Sequence, residues 1–311
     1  MTSAILGVGH YLPAEVECAG VRRPIAVDPV GPSTLAMQAV TQALERAALT
    51  PDAVDFIIFA TMTPDVTFPG AGCWLQRELG GRTTPALDIR AQCAGFVFGL
   101  SIADQFLRAG VYERVLVVGA EVHSSGLDYS ERGAPVARLF GDGAGVVLIG
   151  KDGARPGIRS AVIHTDGRHH DRFWCEYPAS RQHPVRMTVE NFRQGKHFPT
   201  IDFDSVRRFG EASLPEVIRE SLHAADATLE QVDRFIICHV LPEVAETAAD
   251  TLGIPSARLN VPAARHGHLA AAALPVALSE EMSSGRLGPG ATVCLAASGA
   301  GYAWGAAVLT L

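Results

Sequence analysis

The residue best placed for chemistry is a cysteine between two elements. In PALDIRAQCAGFVFGLSIADQFLRAG (85–110) a strand pattern ends near Ile89 and a helix of small and apolar residues starts near Ala94. Cys93 stands at the junction. A helix N-terminus offers unpaired N–H groups and the positive end of a dipole. Both favour a thiolate, so the expectation is a lowered thiol pKa and a nucleophile. Ala94 and Gly95 are small enough to let a substrate approach the backbone. A buried structural cysteine is the alternative for the same position. The other cysteines are Cys18, Cys73, Cys175, Cys238 and Cys294, with no CxxC and no metal-ligand spacing. Cys93, Cys238 and Cys294 lie in apolar runs. This is reduced, cytoplasmic usage and not a disulfide framework. GDGAG (141–145) lacks the spacing of a P-loop or dinucleotide fingerprint, so its glycines read as tight packing.

The elements that must carry Cys93 repeat. LERAALTPDAVDFIIFATMTPD (44–65) and LHAADATLEQVDRFIICHVLPE (222–243) share Leu, Val and Asp at one constant offset. RVLVVGAE (114–121) pairs with ATVCLAAS (291–298). FGDGAGVVLIG (140–150) pairs with SGAGYAWGAAVLTL (298–311). Matched order across the chain implies two copies of one α/β half, about 1–155 and 156–311. Strands are expected at AILGVGHYL, DFIIFAT, PALDIRAQ and VLVVGAE, and helices at 32–49, 69–79 (with Pro69 in its first turn), 94–109 and 206–224. Residues 155–205, rich in His, Arg and Phe, read as a long loop region.

Composition limits the function. The 311 residues are 48% apolar and 19% charged, enough for a large core. A net charge of −7 argues against nucleic acid or an anionic membrane as partner. The start MTSAILGVGHYLP lacks a basic n-region and a long apolar core, so no signal peptide is expected. No apolar run is long enough for a membrane span.

QCAGFVFGLSIADQFLRAG, RLFGDGAGVVLIG and SGAGYAWGAAVL together resemble the β-ketoacyl-acyl-carrier-protein synthase III family of the thiolase superfamily. The likeness runs from ILGVGHYLP through FPGAGCWLQRELG to the C-terminus. It implies a thiolase-like fold, two duplicated α/β halves packed as layered αβαβα, with the cysteine in the first half and the histidines in the second. It implies an acyl-Cys93 thioester that is condensed with a malonyl-type thioester after decarboxylation. His239, at the end of the strand in RFIICHVLPE, corresponds to the family histidine. The family asparagine falls in a motif of the type R-H-G-N; here RHGH (265–268) puts His268 in that place. An imidazole N–H can still donate to a thioester oxygen. Unlike an amide, it also accepts a proton. His266 reads as structural. The oxyanion donors implied are the backbone N–H groups of Cys93 and Ala300. Phe68 corresponds to a position reaching into a partner's acyl pocket, which implies a homodimer. Arg132 corresponds to a position near the coenzyme A entrance.

The chain departs from the family elsewhere. GHYLPAEVECAGVRRPIAV runs straight through where the family has a longer segment with a tryptophan that holds adenine; Arg22 and Arg23 remain to meet phosphates. The run after His239 carries acidic Glu243, Glu246 and Asp250, which would repel an acidic carrier protein. Arg207 and Arg208 are alternative docking basics. The stretch 165–200 either lines the entrance or is a surface excursion. The substrates implied are acyl-coenzyme A or acyl-carrier-protein thioesters, with no permanently bound cofactor and no metal. Two other readings stand beside condensation: acyl transfer from Cys93 to an O or N acceptor, and an inactive thiolase-fold partner subunit.

Overall fold

The computed structural model describes residues 3–151 and 157–311. The chain opens with β1 (Ser3–Tyr11), the hairpin β2 (Glu15–Cys18) and β3 (Val21–Pro24), and α1 (Pro32–Ala47). Next come β4 (Phe56–Ala60), α2 (Ala71–Leu79), β5 (Ala86–Ile89), α3 (Gly95–Arg108), β6 (Arg114–Glu121), α4 (Ala134–Ala137) and β7 (Gly143–Lys151). The remainder runs β8 (Ile158–Thr165), β9 (Phe173–Trp174), α5 (Val189–Arg193), β10 (Thr200–Ile201), α6 (Phe203–Ala224), β11 (Arg234–Cys238), α7 (Pro242–Leu252), β12 (Leu259–Asn260), α8 (Pro262–His266), α9 (Ala273–Ser283), β13 (Thr292–Gly299) and β14 (Ala303–Thr310).

Two five-stranded sheets result, ordered β1-β7-β6-β4-β5 and β12-β11-β13-β14-β8. The first draws on residues 3–151 and the second on residues 158–310. The boundary expected at 155/156 lies outside the described residues. The sheets share one plan: a parallel pair (β4 with β6, β11 with β13) followed by an antiparallel return (β7, β14). The layers follow from doubly buried strands. On β4, Phe56 and Ile58 face a central cluster with Phe96, Val97 and Leu100 of α3 and Leu274 and Leu278 of α9. Ile57 and Phe59 face the opposite way, against Leu35, Ala39 and Val40 of α1 and Leu75 of α2. Phe235 and Ile237 of β11 face Leu214, Val217 and Ile218 of α6. Helices thus cover both outer faces and fill the space between the sheets, the αβαβα order expected. Each fully buried Ile or Phe here stabilises by roughly 1.5–3 kcal/mol.

Two local expectations are corrected. Residues 155–205 are not all loop: Ile158–Thr165 is a strand, antiparallel to β14 at the sheet edge. The helix expected from Pro69 starts at Ala71. The Asp88 carboxylate of β5 accepts from the Ala71 and Gly72 N–H groups (2.6 and 2.9 Å) and fixes the first turn there.

Candidate active site

Cys93 lies in a short 3-10 turn, Gln92–Ala94, between β5 and α3. Gln92 before it adopts φ 46°, the left-handed region that a side chain occupies at a cost of about 1–3 kcal/mol. The turn is held against β13. A Cβ on Gly299 would fall 2.6 Å from the Cys93 Cβ, so only glycine lets the two segments meet. The backbone N–H groups of Cys93 and of Ala300 both reach the sulfur. The two N–H groups expected as donors thus lie at the same sulfur.

His268 supplies the third contact. Its Nε2 lies 2.9 Å from Cys93 Sγ, and the residue is fully buried. The chain holds it from both sides: the His268 N–H donates to the Leu139 carbonyl (2.6 Å), and its carbonyl accepts from the Gly141 N–H. The glycines of 141–145 do serve close packing, since Gly141 abuts the His266 carbonyl and Gly145 abuts Pro275 and Val276 of α9. Gly141 also pins the loop that carries His268. Cys238 faces the other ring nitrogen, Nδ1, at 3.8 Å, and its sulfur lies 3.9 Å from the Ala270 carbonyl. A carbonyl only accepts, so the Cys238 S–H turns to Ala270 and leaves its lone pair to Nδ1–H. That tautomer presents a lone pair at Nε2 to the Cys93 S–H.

The expected lowering of the Cys93 pKa is overturned. Burial pushes the thiol up to about 12; the Ala300 and Cys93 N–H groups pull it down by less, and the nearby Glu121 carboxylate pushes it up further. Desolvation outweighs the helix end because the sulfur is 1% exposed. Burial holds His268 well below the ordinary histidine range, helped by His123 and His239. The resting pair is a neutral thiol and a neutral imidazole.

Of the two expected histidines, His268 contacts the sulfur, and His239 lies near enough to His268 to lower its pKa. His239 is buried, and burial lowers its pKa to about 4. Its Nδ1 lies 3.1 Å from both the N–H and the carbonyl of Leu241. The N–H can only donate, so Nδ1 accepts and Nε2 carries the proton. That proton goes to the Val206 carbonyl of α6. Gly210, also on α6, makes room for the ring, since a Cβ there would lie 2.6 Å from Nε2.

The remaining expected residues lie apart from Cys93. Phe68 is 81% exposed, near exposed Val66, and the turn just after it (Gly70–Gly72) lies against Asp88 of the edge strand β5, next to exposed Leu87. Arg22 pairs with Glu15 across its hairpin. Arg23 donates to the Arg138 and Arg22 carbonyls and lies against Gly267, so its guanidinium braces the loop before His268. His266 bonds Glu280 (3.0 Å), as a structural residue would. Glu243 pairs with Arg207 on an exposed face. Arg132 bonds Asp128 and the Gln194 carbonyl, and lines a cavity of about 320 Å³ with Val136 and residues 194–201. The 165–200 stretch thus lines a cavity wall. Val136 and Ile201 of that wall pack on the cluster holding Phe140, whose ring centroid is 5.6 Å from that of His268.

Two buried neighbours carried no motif. Glu121 accepts from Thr61, Met62 and Thr63 and stays close enough to raise the Cys93 pKa. His123 lies beside Phe140, ring centroids 4.8 Å apart. The repeat was the available signal: it sets residues 121–123 at the place of residues 298–300. All six cysteines are free. Among the described residues no group of His, Cys, Asp or Glu is arranged to hold a metal, and no helix is long and apolar enough to cross a membrane.

Comparison with known proteins bears on the family and the fold. The profile described as 3-Oxoacyl-[acyl-carrier-protein (ACP)] synthase III matches residues 87–167, and its C-terminal counterpart matches residues 222–311. A β-ketoacyl-[acyl-carrier-protein] synthase III of Methylococcus capsulatus is 36% identical over 99% of this chain and 98% of its own. The crystal structure of 3-oxoacyl-[acyl-carrier-protein] synthase III from Aquifex aeolicus superposes with a TM-score of 0.88 at 29% identity, covering 99% of this chain and 100% of that one. The priming β-ketosynthase of the R1128 polyketide biosynthetic pathway gives 0.89 at 27% identity, covering 100% and 96%.

Proposed function

The chain belongs to the 3-oxoacyl-[acyl-carrier-protein] synthase III family, and from that premise we propose that it loads an acyl group onto Cys93 and condenses it with a malonyl-type thioester. The observation that carries this reading is the Cys93–His268 contact at 2.9 Å, with the N–H groups of Cys93 and Ala300 on the same sulfur. In the first half-reaction Sγ attacks the thioester carbonyl while its proton passes to His268 Nε2. The developing oxyanion takes the two backbone N–H groups. The leaving thiolate recovers the proton, and the acyl group stays on Cys93.

In the second half-reaction a malonyl thioester loses carbon dioxide. Its carbonyl oxygen gathers the resulting negative charge. His239 Nε2–H, released from Val206, is one donor for it. His268 is the other, once its ring has exchanged to the opposite tautomer, with the proton on Nε2 and the Cys238 S–H turned to Nδ1. The enolate carbon attacks the Cys93 thioester, the same oxyanion site is reused, and the C–S bond breaks. The product is a β-ketoacyl thioester, and the Cys93 thiolate that leaves takes one proton from solvent to restore the thiol. The cavity beside Arg132 is the route for the thioester arm, from acyl-coenzyme A or an acyl carrier protein. Exposed Phe68, Val66 and Leu87 support a homodimer built on the β5 edge.

A second reading rests on Cys238. By setting Nδ1–H it leaves His268 Nε2 as an acceptor, which suits deprotonation of an alcohol or amine and acyl transfer to it. Carboxyl-labelled malonyl thioester separates the two. Condensation predicts label release that depends on prior acylation of Cys93 and falls sharply in His268→Ala. No label release, with acyl transfer to a hydroxyl or amine acceptor, contradicts condensation and supports the second reading.

A further inference from the structure

His123 lies at the end of β6, 4% exposed, with one nitrogen satisfied and one not. Its Nδ1 is 2.9 Å from the Gly141 carbonyl. A carbonyl only accepts, so Nδ1 carries the proton, and the neutral ring presents a bare lone pair at Nε2. Among the described residues Nε2 has no hydrogen-bond partner. Buried polar atoms without partners are uncommon and costly, because water has been removed and nothing replaces it. This one is aimed into the wall of the Cys93 site. Phe140 touches both the His123 and His268 rings (4.8 and 5.6 Å), and His268 touches the sulfur. The surroundings are mixed: Phe140, beside the ring, belongs to an apolar cluster with Phe173, Leu127, Ala137 and Val206, and the buried Glu121 and His268 are close enough to interact with His123. The apolar side of this cluster would suit an alkyl chain, with the bare Nε2 acceptor beside it.

We propose that His123 is a specificity-determining residue whose Nε2 accepts a hydrogen bond from a hydroxyl on the acyl chain delivered to Cys93. A hydroxylated chain satisfies the acceptor, and a plain alkanoyl chain leaves it bare. A site built to bond a substrate hydroxyl rejects the analogue lacking it far more strongly than an apolar pocket rejects an added methylene. The proposal rests on the reading of Cys93 as acyl carrier.

The test is the rate of Cys93 acylation, followed by intact mass, with N-acetylcysteamine thioesters of hexanoate and of its β-, δ- and ω-hydroxy isomers. The expected result is that one hydroxy isomer reacts at least about tenfold faster than hexanoyl. In His123→Leu that ratio falls to near one. In His123→Gln, whose amide oxygen also accepts, much of the ratio returns. Thermal melting of both variants separates loss of preference from loss of fold. No preferred isomer in the unmodified protein overturns the proposal, as an ordered water on Nε2 would produce. So does a preference that survives in His123→Leu. Both results leave the hexanoyl adduct on Cys93 intact. Absence of any adduct overturns the underlying reading, and this one with it.

Discussion

Gly299→Ala tests whether the close approach of β13 to Cys93 makes the site. The added Cβ would lie 2.6 Å from the Cys93 Cβ and still nearer its sulfur, against an ordinary carbon contact of 3.4–4 Å. Relief requires a shift of about 1 Å in a segment that is buried on both sides. The neighbouring Ala300 N–H would move with it, away from the oxyanion position. A misplacement of about 1 Å costs on the order of 10²-fold in rate, and loss of one oxyanion donor about 10²–10³-fold. Overpacking alone costs about 1–3 kcal/mol of stability. Cys93 acylation by a short acyl thioester should therefore slow at least 10²-fold while the protein stays folded below its melting point. Gly126→Ala is the control, because nothing lies within 4 Å of a Cβ there. Acylation of Gly299→Ala at the unmodified rate would refute the assembly of Cys93 and Ala300 as a donor pair.

Acid should destabilise the fold through its buried histidines. His239 and His268 are held below the ordinary value of 6.5, His239 at about 4, so the unfolded chain binds more protons as pH falls below 6.5. Stability should drop by up to about 1.4 kcal/mol per pH unit for each histidine between pH 6.5 and 4, measured by urea unfolding; a flat profile there contradicts neutral burial. Thiol reagents should follow exposure. Cys73 is exposed and should react fast, whereas Cys93, with its pKa near 12, is ionised to roughly one part in 10⁴ at pH 8 and should react slowly. Peptide mapping that finds Cys93 modified first would contradict the closed resting site.

The sequence made some elements plain for physical reasons. DFIIFAT and RFIICH are continuous apolar runs because their strands are buried on both faces, and the repeat between them reports one sheet plan used twice. Cys93, His268 and Ala300 were legible through motifs, and the structure brings them together from two sheets. Other features depended on distant partners. The true start of α2 is set by Asp88, in another element. β8 hides in a His- and Arg-rich stretch because an edge strand buries only some of its residues. The thiol pKa went the other way because a junction shows the helix end and not the depth of burial. The path of His239 Nε2–H to Val206 and the bare nitrogen of His123 are consequences of packing, which no local pattern carries.

Both half-reactions run through a covalent acyl group at one sulfur. Intact-mass spectrometry after incubation with a panel of acyl thioesters measures it directly. A mass gain equal to one acyl group, mapped to Cys93 and absent in Cys93→Ala, is the predicted result. No gain with any thioester, or a gain that persists in Cys93→Ala, would contradict it.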